Sequence, residues 1–470
     1  KPETPTVRPE SPVPDHEETL FAIATDPEAT RNTVFVYHKQ DASEPETARA
    51  YRHSLMEGLY HGMLNRRFYE LTVEADPAFL GAYSGIGLSV RTKEFLVLGA
   101  AVENNGFERG LKALLTEANR VARHGFTATE LARQKKQMLR GMEQAWRERD
   151  KLRSGGFASE YVRHLLEDEP IPGIEREYEL YNELLPTIGL AELNELAQSW
   201  AGEESRVITV NAPEKAGVGV PTEADLLATF EVVAGAEIDA YVDVGEDLPL
   251  LASEPTPGAI VGRREIPELG VTVWELSNGA RVFLKPTDFK NDQIMFSAYS
   301  PGGHSLVEDE NYIAATTAST VVTQGGLGNF DQVGLMKWMS GRVVRVSPYV
   351  SELHEGLSGS ASPQDAETMF QLIHGYFTET RTDSITFASL RKRLGAMVEN
   401  RDSRPETAYG DTVQVTMAQH HFRARPWSEE MLDELDLETS MEVFRDRFAD
   451  ASDFTFFFVG NLTPEGIQPL

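Results

Sequence analysis

The sequence predicts an α+β fold built from two related modules, each a mixed or mainly antiparallel sheet packed against several helices. Two observations lead to this prediction. The chain has 470 residues, which is too many for one ordinary core. It also divides into two units with the same order of elements: strands and a helix come first, a long helical stretch follows, and an apolar strand closes the unit.

The first unit is predicted to span residues 19–245, after a Pro- and Glu-rich arm over 1–18. Its first strands are predicted at 19–26 and 32–39, where β-branched and aromatic residues lie between turn formers. Apolar residues at helical spacing predict a helix over 46–72. The remaining predicted elements are two strands, a long helical stretch and a closing strand, at 78–85, 95–102, 107–200 and 205–213.

The second unit is predicted over 269–470, after a connector at 246–268 that is rich in Gly, Pro and acidic residues. It opens with a hairpin at 271–286, because Asn278-Gly279 lies between two alternating apolar runs. The remaining predicted elements are a strand, two short helices, two strands, a long helical stretch and a closing strand, at 293–300, 311–323, 330–340, 343–351, 356–362, 365–448 and 453–461.

A local match between the two units is consistent with an internal duplication. Phe126-Thr127 and Leu131 of the first unit can be aligned with Ile385-Thr386 and Leu390 of the second, in each case between two predicted helices. One match of this kind also arises by chance. The shared order of elements leaves duplication and chance about equally supported.

Composition excludes several kinds of chemistry. The chain has no cysteine, so disulfides, thiolate zinc sites, iron–sulfur clusters and cysteine nucleophiles are excluded. It has 74 acidic and 44 basic side chains and a net charge of -30, which disfavours nucleic acid and anionic membranes as partners. No run approaches the roughly 18–20 apolar residues of a membrane span, so no membrane insertion is expected. The absence of an initiator Met suggests a processed protein or a piece of a longer chain.

Histidines give the first candidates for a metal site. His53, Glu57 and His61 share one face of a predicted helix, but the two imidazoles start roughly 12 Å apart, so a solvated helix face is the favoured interpretation. Two other patterns are weaker. One is a near match to H-x-x-E-H at His164-Leu165-Leu166-Glu167-Asp168, and the other is the adjacent pair His420-His421. The first lacks a third ligand, and adjacent helical residues point to different sides. These residues alone indicate no catalytic centre.

The run LSNGARVFLKPTDFKNDQIMFSAYSPGGHSL at 276–306 resembles the opening of a module in the M16 (insulinase, pitrilysin) family of zinc metallopeptidases, particularly its long bacterial members. Further stretches fit the same family, among them MLNRRFYEL, HGFTATELARQK and RFADASDFTFFFVGN. The resemblance covers residues 12–470. It implies four related α+β modules in two halves that close around a peptide, with zinc bound in the first module on an inverted H-x-x-E-H helix.

By this resemblance, residues 1–245 correspond to the second module and residues 265–470 to the third, so the catalytic module and its zinc lie outside this chain. The family's zinc-helix pattern falls in the third module on Thr316, Ser319 and Thr320. Their hydroxyl groups supply neither the nitrogen ligands that zinc favours nor a general base. The resemblance therefore implies that this chain holds no metal and no other cofactor.

The resemblance also implies an exosite, an edge strand of the second module that anchors a substrate peptide by strand addition. The matching residues are Phe79, Leu80, Gly81, Ala82, Tyr83 and Ser84. Small residues allow another backbone to approach, and Phe79 and Tyr83 offer apolar contacts, as strand addition requires. The alternative is an internal strand that pairs only within its own sheet.

The leading hypothesis is a non-catalytic middle portion of an M16 zinc endopeptidase, inactive alone, whose parent polypeptide hydrolyses peptide bonds. Its expected partners are a peptide or unfolded polypeptide and a catalytic M16 module of the same or a partner chain. One alternative is a catalytically dead M16-like binding subunit, and another is an enzyme with an unrecognised site. Related proteases are often exported, so the periplasm is the expected location, although the composition equally permits the cytoplasm.

Overall fold

The computed structural model describes residues 11–43, 47–200, 202–245 and 248–470. It confirms the predicted class, because the chain forms two α+β modules, each with one sheet packed against helices. Most of the predicted arm, residues 1–10, lies outside the described residues, as do two residues of the predicted connector, 246–247.

The first module contains a five-stranded mixed sheet in the order β1-β5-β2-β4-β3. Its strands are β1 (Leu20–Asp26), β2 (Asn32–Asp41), β3 (Gly81–Val90), β4 (Lys93–Val102) and β5 (Arg206–Pro213). β1 and β5 are parallel, and every other neighbouring pair is antiparallel. The alternation that predicted β2 places Val34 and Val36 in the core, where both are fully buried. β3 forms one edge of the sheet.

Seven α-helices complete the first module within its described residues. They are α1 (Ala48–Thr72), α2 (Phe107–His124), α3 (Ala128–Arg147), α4 (Ser154–Glu167), α5 (Ile174–Leu184), α6 (Leu190–Ser199) and α7 (Glu223–Gly235). α3 begins at a capping box in which Thr127 accepts a hydrogen bond from the Glu130 backbone N–H and the Glu130 carboxylate accepts one from Thr127. α1 and α2 contribute Leu59, Leu64 and Leu111, all fully buried, to the core against the sheet.

The second module contains a seven-stranded sheet in the order β10-β11-β9-β12-β8-β7-β6. Its strands are β6 (Ile260–Ile266), β7 (Val271–Leu276), β8 (Arg281–Pro286), β9 (Ile294–Pro301), β10 (Val344–Val350), β11 (His354–Ala361) and β12 (Thr455–Gly460). The predicted hairpin is β7 and β8, which pair antiparallel across a turn where Gly279 has φ 97°. Its helices are α8 (Tyr312–Gly325), α9 (Gln332–Trp338), α10 (Ala366–Thr378), α11 (Ser384–Glu399), α12 (Pro405–Met417), α13 (Glu429–Leu432), α14 (Leu437–Arg447) and α15 (Pro464–Ile467).

The structure differs from the sequence prediction in the connector at 246–268. β6 lies within it and pairs with β7 at the edge of the second sheet. Leu250 is also buried in the core of the second module. β6 was missed because its central residues are charged: Arg263 and Arg264 belong to an exposed edge strand, where charged side chains are common and the apolar alternation is weak.

The two modules share one topology. Removing β6 and β7 from the second sheet leaves the order β10-β11-β9-β12-β8, which matches β3-β4-β2-β5-β1 of the first in both chain order and strand direction. Internal duplication is therefore the simpler of the two explanations. The structure shifts the local alignment of the two units by three residues. Thr127 is the N-cap of α3, and the N-cap of the corresponding helix α11 is Asp383 rather than Thr386.

Buried ion pairs join the modules. Arg140 of α3 reaches Asp292 and Asp365 of the second module at 3.3 and 3.4 Å. Lys337 of α9 contacts Glu70 at 2.8 Å and Asp243 at 3.2 Å in the first module. All of these side chains are mostly buried, so the two modules meet through a polar, desolvated interface.

Within the part of the chain that the structure describes, no helix combines the length and the apolar composition needed to cross a membrane.

Candidate functional site

The three positions onto which the family's zinc-helix pattern is expected to fall lie on α8, which is a packed helix. Thr316 donates its hydroxyl to the carbonyl of Ile313 at 3.0 Å, one turn earlier in the same helix. Ser319 is half-buried, and Thr320 is exposed. α14 packs against this helix, where the Ser440 hydroxyl donates to the Ala314 carbonyl at 3.0 Å. The three predicted positions carry only hydroxyl oxygens, which are poor ligands for zinc and poor general bases.

Among the described residues, no three His, Asp or Glu side chains are grouped closely enough to hold a metal ion. His53 is half-exposed and lies 3.5 Å from Glu57, whereas His61 is buried and bonded elsewhere. The other two histidine patterns do not belong to such a group among these residues either. His164 contacts the Glu169 backbone carbonyl at 2.7 Å, and His420 lies in an exposed turn after α12.

Burial changes the titration of two side chains on the buried side of α1. It raises the pKa of Glu57 to about 7, and the neighbouring Glu94 carboxylate adds to the shift. Burial alone lowers the pKa of His61 to about 4. His61 is therefore neutral at pH 7. These shifts follow from the apolar surroundings and do not require a catalytic role.

The predicted exosite lies on the edge strand β3. In the described residues β3 pairs only with β4, and Ser84 stands opposite Leu98. The Ser84 backbone N–H and C=O both bond to the Asn65 side chain, so they point away from β4. Because backbone direction alternates along an antiparallel strand, Ala82 and Ile86 also direct their N–H and C=O groups to the outer edge.

The structure corrects part of the predicted exosite. Phe79 and Leu80 precede β3 rather than belong to it. Phe79 is 1% exposed and packs edge-to-face on Phe68, so it cannot contact a peptide. The Leu80 N–H donates to the Ala101 carbonyl at 2.8 Å and is also unavailable. Tyr83, by contrast, is 47% exposed.

The other residues of the predicted exosite differ in how they could contact a peptide. Gly81 has open space around its Cα, which lets a second backbone approach. Ala82 presents outward backbone groups beside it. Ser84 is buried, and its hydroxyl lies 2.5 Å from His61 Nδ1. The usable edge is thus shorter than predicted, and it is interrupted at Ser84 by a residue, Asn65, that the sequence reasoning missed.

A second surface is repeated in both modules. α4 and α12 follow corresponding helices, and neither contributes a buried residue. Each instead exposes an apolar stripe with a spacing of four residues: Phe157, Tyr161 and Leu165 on α4, and Tyr409, Val413 and Met417 on α12. Large exposed apolar patches are typical of protein–protein interfaces, membrane contacts or ligand-binding grooves.

No family model matches the chain, but two curated relatives match over nearly its whole length. It is 27% identical to a "Zinc protease PQQL-like" of Arabidopsis thaliana over 462 residues, covering 98% of this chain and 43% of that protein. It is 22% identical to the "Probable zinc protease PqqL" of Escherichia coli K12 over 459 residues, covering 96% of this chain and 48% of that protein. The chain therefore spans less than half the length of these relatives.

Two solved structures share the fold. The ferredoxin protease FusC, solved in complex with Arabidopsis ferredoxin, superposes with a TM-score of 0.62 at 17% identity, covering 99% of this chain and 52% of that chain. Pitrilysin superposes with a TM-score of 0.52 at 13% identity, covering 98% of this chain and 48% of that chain. The fold of the two modules together thus matches about half of each of these two chains.

Proposed function

We propose that this chain, which is a PqqL-like member of the M16 family of zinc proteases, forms a non-catalytic middle portion of a longer peptidase. The observation that carries the proposal is the hydroxyl set Thr316, Ser319 and Thr320 on α8, at the positions where the M16 resemblance implies the zinc helix. Hydroxyls replace both imidazoles and the carboxylate that water activation requires. Catalysis then belongs to a module outside this chain, where zinc is bound.

The role of this chain is to bind and orient a polypeptide. The open edge of β3 offers backbone donors and acceptors at Ala82 and Ile86, the groups through which an extended peptide adds to a sheet. The exposed Tyr83 ring offers apolar contact nearby. The structural neighbour FusC is solved with a protein bound, which supports a polypeptide as the class of ligand.

The stripes on α4 and α12 support the presence of further modules. More than half of each curated relative lies outside the matched region, and both modules here leave the same apolar surface exposed.

The coding sequence that flanks this segment distinguishes the two candidate roles. An H-x-x-E-H motif in a preceding module supports the peptidase, whereas its absence favours a catalytically dead binding subunit. Export to the periplasm stays a prediction.

Replacing Ala82 with Pro is expected to weaken peptide binding roughly tenfold, because Pro removes the outward N–H while a proline on a sheet edge is tolerated. Ala82→Val is the matched control, since it keeps the N–H and suits a strand. Binding is measured by fluorescence anisotropy with a labelled, unstructured peptide, after circular dichroism has verified folding. Equal affinity of the folded Pro and Val variants would contradict strand addition at β3.

A further inference from the structure

Asn65 closes the outer edge of β3 at one residue. Its Oδ1 accepts a hydrogen bond from the Ser84 N–H at 2.6 Å, and its Nδ2 donates to the Ser84 carbonyl at 2.9 Å. One side-chain amide thereby makes the same two bonds that a residue of a facing strand makes in an antiparallel pair. Asn65 occupies the place of a strand partner.

The surroundings hold the Asn65 amide at this position. Asn65 lies one turn after His61 on α1, and both side chains converge on Ser84. The Ser84 hydroxyl is fixed by His61 Nδ1, and the His61 ring is stacked on Trp200 with its centroid 5.2 Å away. Ser84 is 3% exposed. Its backbone N–H and C=O therefore need a partner within the protein, and Asn65 provides it.

We infer that Asn65 is an internal competitor for the peptide strand, a role that rests on the proposed function of β3. An extended peptide along β3 needs the outward groups of Ala82, Ser84 and Ile86 in succession. With Asn65 in place, the middle pair is occupied, and the peptide reaches Ala82 or Ile86 but not both in one continuous ladder. Binding of a full strand therefore requires the Asn65 amide to leave Ser84.

The same contact protects the free protein. An exposed edge strand attracts other strands, and β3 has an exposed, glycine-containing stretch that lacks charged side chains. Asn65 interrupts this edge at its centre without adding a charge. A peptide can pair along the whole edge only if its backbone replaces the two Asn65–Ser84 hydrogen bonds. Shorter or more weakly binding strands are therefore disfavoured.

The test uses the Asn65→Leu variant, whose side chain is of similar size but makes neither hydrogen bond, so it can turn away from Ser84 without breaking them. The probe is a fluorescein-labelled, end-blocked decapeptide of alternating Val and Lys. The same peptide with alternate backbone N-methylation serves as the non-pairing probe. Asn65→Leu is expected to bind the first peptide roughly tenfold more tightly than the natural chain, and neither chain is expected to bind the methylated peptide.

Hydrogen exchange gives a readout that does not depend on the peptide. The Ser84 amide of free Asn65→Leu is expected to exchange faster than in the natural chain, because its acceptor is gone. Asn182→Leu is the matched control, since Asn182 is exposed and, among the described residues, its amide bonds only to the Tyr178 carbonyl of its own helix. It is expected to leave both peptide affinity and Ser84 exchange unchanged. If Asn65→Leu fails to fold, Asn65→Asp keeps the acceptor for Ser84 and is expected to give an intermediate affinity.

The outcomes separate this inference from the proposed function. Faster Ser84 exchange with unchanged or weaker peptide binding overturns the competitor role, while binding by the natural chain still supports the exosite. Unchanged exchange overturns the claim that Asn65 closes the edge. Binding by neither chain removes the exosite itself, and the competitor role with it.

Discussion

Replacing Arg67 with Met is expected to lower the free energy of unfolding of the first module by about 3–5 kcal/mol, the usual cost of removing one partner from a buried ion pair. The Arg67 side chain is 1% exposed and bonds Glu130 at 2.7 Å and Glu117 at 3.0 Å. Its guanidinium also lies 4.1 Å from the centre of the Tyr241 ring. Met fills a similar volume but leaves the Glu130 carboxylate buried without its cation, while Glu117 keeps its pair with Arg120 at 2.8 Å.

The effect is measured as the loss of free energy of unfolding of the whole chain in urea, because the two modules are expected to unfold together. Arg109→Met is the control, because Arg109 pairs with Asp76 at an exposed position and is expected to contribute much less than Arg67. The buried cluster joins α1, α2 and α3, so its loss is expected to loosen the helices that support β3. A cost for Arg67→Met no larger than that for Arg109→Met would show that the cluster does not stabilise the module.

Replacing Arg140 with Met is expected to uncouple the two modules, at a cost of about 3 kcal/mol. Arg140 is the α3 side chain that reaches both Asp292 and Asp365 across the interface. The Asp292 side chain is fully buried, and within the described part of the chain the variant leaves it only Arg147 and the Ser362 hydroxyl as partners. Removal of the Arg140 charge therefore leaves part of a buried carboxylate cluster uncompensated.

Differential scanning calorimetry tests this prediction. The natural chain is expected to unfold with the modules coupled, whereas Arg140→Met is expected to show two resolved transitions. Lys290→Met is the control at the same interface, because the Lys290 side chain is 42% exposed where it pairs with Glu148 and is expected to contribute little. If the thermogram of Arg140→Met showed the single coupled transition of the natural chain, the Arg140 cluster would not couple the modules.

Local patterns were sufficient for most of the elements. The strand predicted at 32–39 is β2 (Asn32–Asp41), and the helix predicted at 46–72 is α1 (Ala48–Thr72), because each has a strong apolar period. β6 was missed because charged side chains replace the apolar alternation on that edge strand. The start of β3 was placed too early, since the apolar residues Phe79 and Leu80 continue the strand pattern although they lie before it.

The candidate site was less accessible to sequence reasoning than the fold. The edge position of β3 depends on the order of five strands, which local periodicity does not determine. Asn65 is separated from Ser84 by 19 positions, and Arg67 from Glu130 by 63, so only the tertiary fold brings them together. One signal was present: Asn65 continues the face of α1 that carries His53, Glu57 and His61 at four-residue spacing.

The most direct test of the central claim is the metal content and peptidase activity of the purified 470-residue chain. The chain is dialysed with zinc, freed of unbound metal and analysed by plasma mass spectrometry, and cleavage of a fluorogenic peptide is followed with and without a chelator. An active M16 protease treated in the same way serves as the positive control. We expect far less than one zinc per chain and no chelator-sensitive cleavage. One zinc per chain together with cleavage that a chelator abolishes would contradict it.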